Sequence, residues 1–186
     1  MNNWSPDIYQ KAWYFATLVH EGQTYGSPKK DQRIPYINHI GSVATEVIHA
    51  LPSTPQEDAD LAVQCALLHD TIEDTPITYQ DIKEQFGKAV ADGVQALTKN
   101  EDLPTKQAQM EDSLLRIQQE PKAVWMVKMA DRITNLAEPP HYWNTAKREA
   151  YQKEAQLIYD ALAPANEQLA QRLQDKIKAY SNYVNN

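Results

Sequence analysis

The chain of 186 residues carries a formal net charge of −7, with 42% hydrophobic and 23% charged residues. These values predict one globular domain over residues 1–186 and exclude an intrinsically disordered chain. The negative charge argues against a surface that binds nucleic-acid polymers. We find neither a secretory signal nor an apolar run near the ~20 residues that cross a bilayer. We therefore expect a cytoplasmic protein without a membrane partner, and its single cysteine, Cys65, rules out an internal disulfide.

The predicted elements are all helical, because apolar residues recur with a helical period and only five glycines interrupt the chain. Prolines, glycines and capping residues divide the pattern into helices over residues 6–21, 35–50, 58–75, 78–86, 87–98, 105–119, 121–136, 145–162 and 164–183. Residues 23–33 are predicted to form a basic loop, and no segment alternates for long enough to predict a strand. The expected fold class is all-α, a bundle of about eight or nine helices.

The predicted third helix ends in a dense group of acidic and imidazole side chains. His69, Asp70, Glu73 and Asp74 fall within six positions, directly after an apolar run. Burying unpartnered carboxylates costs several kcal/mol each, and a bound cation removes that cost. If the helix continues through residue 75, Glu73 lies one turn beyond His69 and Asp74 one turn beyond Asp70. The two later carboxylates can then act on a water molecule beside the earlier pair.

Two further helices contribute candidates for the same site. Asp131 lies in a mostly apolar helix with Asn135 one turn further along the same face, and His39 lies near the start of the second helix. Together with His69 and Asp70 they offer two imidazoles and two carboxylates, a set that suits Mn²⁺, Fe²⁺ or Zn²⁺ better than Ca²⁺ or Mg²⁺. Four protein ligands leave room for water and a substrate oxygen, which indicates metal-assisted hydrolysis rather than a closed structural site.

The order and the amino-acid sequences of these segments resemble those of the HD-domain metal-dependent phosphohydrolases. Within that family they resemble the (p)ppGpp hydrolases, namely the hydrolase domain of RelA/SpoT proteins and the stand-alone small alarmone hydrolases. The segments that carry the resemblance are residues 20–23, 35–39, 67–75, 96–99 and 127–136. The C-terminal part, with Trp143, Lys147 and Tyr151, is similar to the stand-alone members.

The resemblance implies an all-α HD-domain fold with one Mn²⁺ ion bound by His39, His69, Asp70 and Asp131. It also implies hydrolysis of the 3′-pyrophosphate of (p)ppGpp to pyrophosphate and GDP or GTP, which degrades the alarmone. Glu73 and Asp74 correspond to the acidic pair that handles the attacking water. Contacts with the nucleotide are implied for Arg33, Lys99, Asn135, Lys147 and Tyr151, with Asn135 near the ribose or the scissile phosphate.

The chain departs from this family in the basic loop. The family commonly has an arginine two residues after Gly-Gln, where this chain has Tyr25, and the loop also differs in length. Arg33 can replace that arginine, and Lys29 and Lys30 can join it around an anion, but the preferred base stays open. One alternative is an HD phosphohydrolase that acts on (p)ppApp, pGpp or a nucleoside monophosphate. Another is a non-catalytic alarmone-binding protein, against which the intact ligands argue. In each case the partner is a small-molecule nucleotide, and the sequence leaves a homo-oligomer open.

Overall fold

In the computed structural model, which describes residues 4–184, helices pack into a bundle beside one short β-hairpin. The elements are α1 (Pro6–Val19), β1 (Thr24–Gly26), β2 (Arg33–Pro35), α2 (Ile37–Ala50), α3 (Ala59–Leu68), α4 (Thr71–Asp74), α5 (Tyr79–Phe86), α6 (Lys88–Leu97), α7 (Lys106–Ile117), α8 (Lys122–Asn135), α9 (Thr145–Leu162) and α10 (Glu167–Val184), with 3₁₀ turns at Leu51–Ser53 and Ala163–Ala165. Within the described residues nine helices have eight or more residues, and α4 is a single turn. The predicted all-α fold of eight or nine helices is confirmed.

Helix α8 lies in the centre of the bundle, where it packs against α2, α3, α9 and α10. Ten of its 14 residues are buried, and these include Lys128, Asp131 and Arg132. Its neighbour α3 buries eight of its ten residues, so both helices face the core on nearly every side. Because polar side chains on such helices need partners inside the protein, the chemistry concentrates where α2, α3 and α8 meet.

The third helix is shorter than its periodicity predicts. Helix α3 ends at Leu68 and α4 begins at Thr71, with a turn between them. The hydroxyl of Thr71 donates to the carbonyl oxygen of Leu68 at 2.6 Å, so it competes for an acceptor that a continuing helix would offer to a backbone N–H. The prediction of one helix over residues 58–75 is therefore wrong, and Glu73 does not follow His69 on a single helix face.

Part of the predicted basic loop is a β-hairpin, although the sequence predicts no strand. Strands β1 and β2 pair antiparallel, with Gly26 opposite Arg33. Because side chains alternate along a strand and paired residues share a face, Thr24 and Arg33 lie on one face and Tyr25 on the other. Each strand has three residues, which is too short to show a period of two in the sequence.

The C-terminal helices α9 and α10 are the longest in the described residues, with 18 residues each. Asn166 fastens α10 to the core: its side chain accepts from the backbone N–H of Leu169 at 2.8 Å and donates to the carbonyl oxygen of Ala50 at 3.2 Å. Each of the two helices buries a stripe of residues at helical spacing. None of the helices within residues 4–184 is both long and apolar enough to cross a membrane.

Candidate metal centre and its adjoining pockets

Three parts of the bundle bring two imidazoles and two carboxylates together. His39 comes from the first turn of α2, His69 and Asp70 from the turn after α3, and Asp131 from α8. The two histidine Nε2 atoms lie 3.3 Å apart, and Asp70 Oδ2 lies 2.9 Å from that of His69 and 3.6 Å from that of His39. Asp131 Oδ1 approaches the same nitrogens at 3.4 Å for His39 and 4.0 Å for His69. The four predicted ligands therefore form one cluster.

The donor atoms of this cluster fit a divalent metal ion. Those of His39, His69 and Asp70 all lie within 4.8 Å of one another. The carbonyl oxygen of Ala66 accepts from Nδ1 of His69 at 2.9 Å, which leaves the Nε2 lone pair facing the carboxylates. Burial alone would lower the pKa of His69, but Asp70 and Asp131 raise it to about 9. Surroundings that stabilise a proton in this way also stabilise a metal cation.

A buried lysine stands behind this cluster. Lys128 Nζ lies 3.6 Å from Asp131 Oδ2, and the lysine side chain is 6% exposed. Burial alone would raise the pKa of Asp131, but His39 and Lys128 hold it well below its usual range. Lys128 is not among the residues predicted from the sequence, although its spacing of three residues from Asp131 on one helix indicates a shared helix face. Asp131 therefore stays ionised with one oxygen toward the lysine and the other toward the histidines.

Tyr36 supports Asp70 with a hydrogen bond, as Lys128 supports Asp131 with its charge. Its hydroxyl donates to Asp70 Oδ2 at 2.5 Å. Burial and the charge of Asp70 raise the pKa of Tyr36, so the phenol keeps its proton and remains a donor. Tyr36 directly precedes α2, and the start of that helix therefore positions both Tyr36 and His39. Tyr36 is not among the predicted site residues, although it lies within one of the segments that carry the resemblance.

Glu73 and Lys99 form a pair, although the resemblance implies that Glu73 acts on the attacking water and that Lys99 contacts the nucleotide. Glu73 accepts hydrogen bonds from the backbone N–H of Lys99 at 2.9 Å and from Lys99 Nζ at 2.7 Å. Burial alone would lower the pKa of Lys99, but the Glu73 carboxylate raises it. The two side chains form an ion pair, so the lysine is engaged by a carboxylate in this structure.

Asp74 is held through its backbone carbonyl group, and its carboxyl group is influenced by burial, by neighbouring charges and by a hydrogen bond with Tyr36. Gln23 Nε2 donates to the carbonyl oxygen of Asp74 at 2.8 Å, and Gln23 Oε1 lies 2.7 Å from Nδ1 of His20. Partial burial, followed by the charges of Asp70 and Glu73, raises the pKa of Asp74. A carboxyl group whose pKa moves toward neutrality is suited to exchange protons with a reacting water.

A pocket with aromatic walls adjoins the cluster at Asp131. It measures about 270 Å³, and its lining includes Tyr25, Asn135, Tyr142, Trp143 and Tyr151. Asn135 Nδ2 donates to Asp131 Oδ1 at 2.5 Å and so links the pocket to the cluster. The rings of Trp143 and Tyr151 meet edge to face with centroids 5.1 Å apart. Such walls suit a flat ring system, as nucleobase-binding proteins illustrate.

A second, more open cleft is linked to the cluster through Tyr36. It measures about 380 Å³ and is lined by Gln23, Thr24, Arg33, Tyr36 and Asp74. Tyr36 belongs to this cleft and also binds Asp70. Tyr36 therefore links the cleft to one carboxylate of the cluster, as Asn135 links the aromatic pocket to the other.

The residues predicted to contact the nucleotide fall into separate groups. Asn135 and Tyr151 line the aromatic pocket, and Lys147 lies at its edge with Nζ 4.3 Å from the centre of the Trp143 ring. Arg33 lines the other cleft, whereas Lys99 is paired with Glu73. Lys29 and Lys30 are exposed and line neither cavity.

Comparisons with known proteins agree with this arrangement. A family model described as the HD domain matches residues 12–168. The chain is 31% identical over 172 residues to guanosine-3′,5′-bis(diphosphate) 3′-pyrophosphohydrolase MESH1 of Homo sapiens, a match covering 88% of this chain and 89% of that protein. It is 37% identical over 132 residues to the bifunctional (p)ppGpp synthase/hydrolase SpoT of Escherichia coli (strain K12), covering 68% of this chain but only 17% of SpoT.

A solved structure supports the fold. It belongs to a metazoan SpoT orthologue described as hydrolysing ppGpp, and it matches with a TM-score of 0.80 at 24% identity, covering 95% of this chain and 97% of that one. The family-model match spans well over half of the chain, and the human relative is matched along most of its length. The chain therefore belongs to the HD-domain family of metal-dependent phosphohydrolases, in the group that includes the guanosine-3′,5′-bis(diphosphate) 3′-pyrophosphohydrolases.

Proposed function

We propose that the protein hydrolyses the 3′-pyrophosphate of (p)ppGpp to pyrophosphate and GDP or GTP, and so degrades the alarmone. The observation that carries this proposal is the buried cluster of imidazoles and carboxylates, adjoined by an aromatic pocket and by a cleft that contains an arginine. The named activity of relatives that are 31% and 33% identical over most of their length supports the same substrate.

We infer that His39, His69, Asp70 and Asp131 hold one divalent ion, and that this ion is Mn²⁺. Mixed imidazole and carboxylate donors are compatible with Mn²⁺, which is also the ion that the family resemblance implies. When bound, such an ion lowers the pKa of water and offsets negative charge on phosphate oxygens. Lys128 and Tyr36 keep the two carboxylates ionised and oriented toward it.

Glu73 and Asp74 have different roles toward the attacking water: one orients it and the other accepts its proton. Its oxygen forms a bond to the phosphorus next to the ribose, the bond from that phosphorus to O3′ breaks, and O3′ takes up a proton. We assign Asp74 to accept the proton that the water loses, because burial raises its pKa, whereas both carboxylate oxygens of Glu73 accept hydrogen bonds from Lys99. Glu73, held in place by Lys99, orients the same water.

The nucleoside occupies the aromatic pocket in this proposal, with Asn135 near the ribose and Lys147 near the 5′-phosphates. Tyr25 belongs to the lining at the position where the family commonly has an arginine. A phenol ring stacks on adenine as well as on guanine, because every base has a π face. Because this position lacks an arginine that could donate to O6 and N7 of guanine, (p)ppApp is a second candidate substrate.

The decisive experiment is turnover of a nucleotide panel by the purified protein loaded with Mn²⁺. The panel contains ppGpp, pppGpp, ppApp, pGpp and dGMP, and the release of pyrophosphate and of phosphate is measured separately. We expect pyrophosphate with GDP or GTP from the first two. Phosphate release from dGMP without any action on ppGpp would overturn the proposal, and ppGpp binding without release of pyrophosphate would indicate a sensor.

Variants of the acidic pair test the mechanism. Glu73→Gln and Asp74→Asn should each lower turnover by at least about 100-fold, the usual contribution of acid–base groups, while the metal content stays unchanged. Asp112→Asn is the matched control, because Asp112 pairs with Arg116 at 2.8 Å on α7 and touches neither cavity. Turnover that survives both substitutions at the site would remove these residues from the mechanism.

A further inference from the structure

The β-hairpin contributes residues to both cavities. Tyr25 and Gly26 line the aromatic pocket, whereas Thr24 and Arg33 line the cleft that contains Tyr36. Two hydrogen bonds to Thr24 hold the Arg33 side chain at the cleft, and Arg33 is not part of the aromatic lining. Arg33 therefore does not lie beside a base bound in the aromatic pocket, and its positive charge is available to an anionic part of the ligand.

The guanidinium of Arg33 is oriented but not saturated. Its Nε donates to Thr24 Oγ1 at 3.1 Å and its Nη2 to the carbonyl oxygen of Thr24 at 3.3 Å. These bonds use two of the five N–H donors of an arginine, and no carboxylate of the described residues forms a salt bridge with it. The remaining donors form a planar fork that matches two phosphate oxygens.

The cleft also contains groups that connect it to the reaction. Tyr36 binds Asp70, one of the predicted metal ligands, and Asp74 is the proposed proton acceptor. Arg33 is the cationic side chain among the residues that line this cleft. An anion that extends from the cluster into the cleft would therefore contact Arg33. The carboxylate of Asp74 shares the cleft, so the anion must approach from the Arg33 side.

We infer that Arg33 binds the distal phosphate of the substrate's 3′-diphosphate and retains the released pyrophosphate. This inference rests on the proposed function, since it assigns one end of that substrate to the cleft. The base and the diphosphate then lie in different cavities, one linked to Asp131 through Asn135 and the other linked to Asp70 through Tyr36. Arg33 is a determinant for a 3′-diphosphate rather than for a base.

The test uses inorganic pyrophosphate and GDP as separate probes of the metal-loaded full chain, with calorimetry as the readout. Arg33→Gln should weaken pyrophosphate binding about tenfold or more, as expected for a lost charge-assisted hydrogen bond. Binding of GDP, which lacks a 3′-phosphate, should change by less than about twofold. Arg33→Lys should recover part of the pyrophosphate affinity. Lys153→Gln, a charge change at an exposed residue of α9 outside both cavities, should alter neither.

Unchanged pyrophosphate binding in Arg33→Gln would overturn the inference, as would an equal loss for both probes. An undetectable affinity of the unmodified protein for pyrophosphate would do the same. The outcome is separable from that of the proposed function. A protein that fails to cleave ppGpp but binds pyrophosphate through Arg33 would contradict the proposed function and support the pyrophosphate subsite. If the protein cleaves ppGpp but binds pyrophosphate equally well without Arg33, the proposed function is supported and the Arg33 subsite is contradicted.

Discussion

Tyr36 contacts two of the predicted metal ligands, Asp70 and His39, although no role is predicted for it from the sequence. Its hydroxyl holds Asp70, and its ring centre lies 5.4 Å from that of His39 and 5.2 Å from that of His20. The side chain therefore orients one predicted ligand by a hydrogen bond and packs against another. Residues that orient metal ligands in this way commonly affect activity as much as affinity.

We expect Tyr36→Phe to lower kcat by about 10- to 100-fold, because the ring remains but the donor to Asp70 is lost. Steady-state kinetics on the best substrate of the panel measures the effect, and thermal melting should show a folded protein. Tyr14→Phe, at a side chain that is 67% exposed on α1, is the matched control. A Tyr36→Phe enzyme with normal kcat would show that Asp70 needs no such support.

Tyr25 offers a second prediction at the residue scale, concerning the base. Its hydroxyl accepts from Asn38 Nδ2 at 2.7 Å while its ring lines the aromatic pocket. An arginine donates to both O6 and N7 of guanine, an acceptor pair that adenine lacks. Tyr25→Arg should therefore raise the ratio of kcat/KM for ppGpp over ppApp about tenfold.

The ratio is the informative quantity for Tyr25→Arg, because a general loss of packing affects both substrates equally. Tyr25→Phe, which keeps the ring, should leave the ratio near that of the unmodified protein. An unchanged ratio in Tyr25→Arg would place the base away from this side chain.

Sequence spacing groups the four predicted ligands because each one interrupts or ends an apolar run, where burial demands a partner. The supporting side chains give weaker signals. A half-buried tyrosine such as Tyr36 is ordinary in any core. The direction of Arg33 depends on strand register, which three-residue strands do not reveal.

At the scale of elements, helix boundaries follow the sequence wherever capping decides them. Thr78 caps α5 through a capping box, and α9 spans Thr145–Leu162 as predicted. The break after α3 escapes prediction because Thr71 fits a helical pattern, and its competition for a carbonyl oxygen is decided by three-dimensional context. Because of that break, His69 and Asp70 lie in a turn rather than in a helix, close to the other two predicted ligands, His39 and Asp131.

Helices α3 and α6 approach each other closely at Gly93. A Cβ atom there would lie 2.7 Å from Cys65 Sγ and 3.0 Å from Val124 Cγ2. Gly93→Ala should therefore lower the free energy of unfolding by about 1–3 kcal/mol, although alanine favours helix more than glycine does. Urea denaturation followed by circular dichroism measures the change.

A double variant separates this crowding from other effects of the added methyl group. Gly93→Ala combined with Cys65→Ala should recover part of the lost stability, since the nearest sulfur is gone. A single Gly93→Ala variant as stable as the unmodified protein would mean that the two helices can separate at little cost.

The whole molecule is acidic, with a formal net charge of −7, yet its proposed substrate carries several negative charges. Long-range attraction therefore cannot bring the two together. Local cations must compensate, and Arg33, Lys99 and Lys147 lie near the cluster or its cavities. A bound divalent ion supplies further positive charge, so binding of substrate should depend strongly on metal.

Metal should also stabilise the entire fold, because the helices that carry the predicted ligands form its core. An ion bound only by the native state at 100 times its Kd adds about 2.7 kcal/mol. For a protein of this length that corresponds to a rise in Tm of roughly 5–10 °C when Mn²⁺ is added after treatment with EDTA. Asp131→Asn, measured with and without Mn²⁺, should lose most of this rise, whereas Asp112→Asn should keep it. A Tm of the unmodified protein that is indifferent to Mn²⁺ would contradict a metal site in the core.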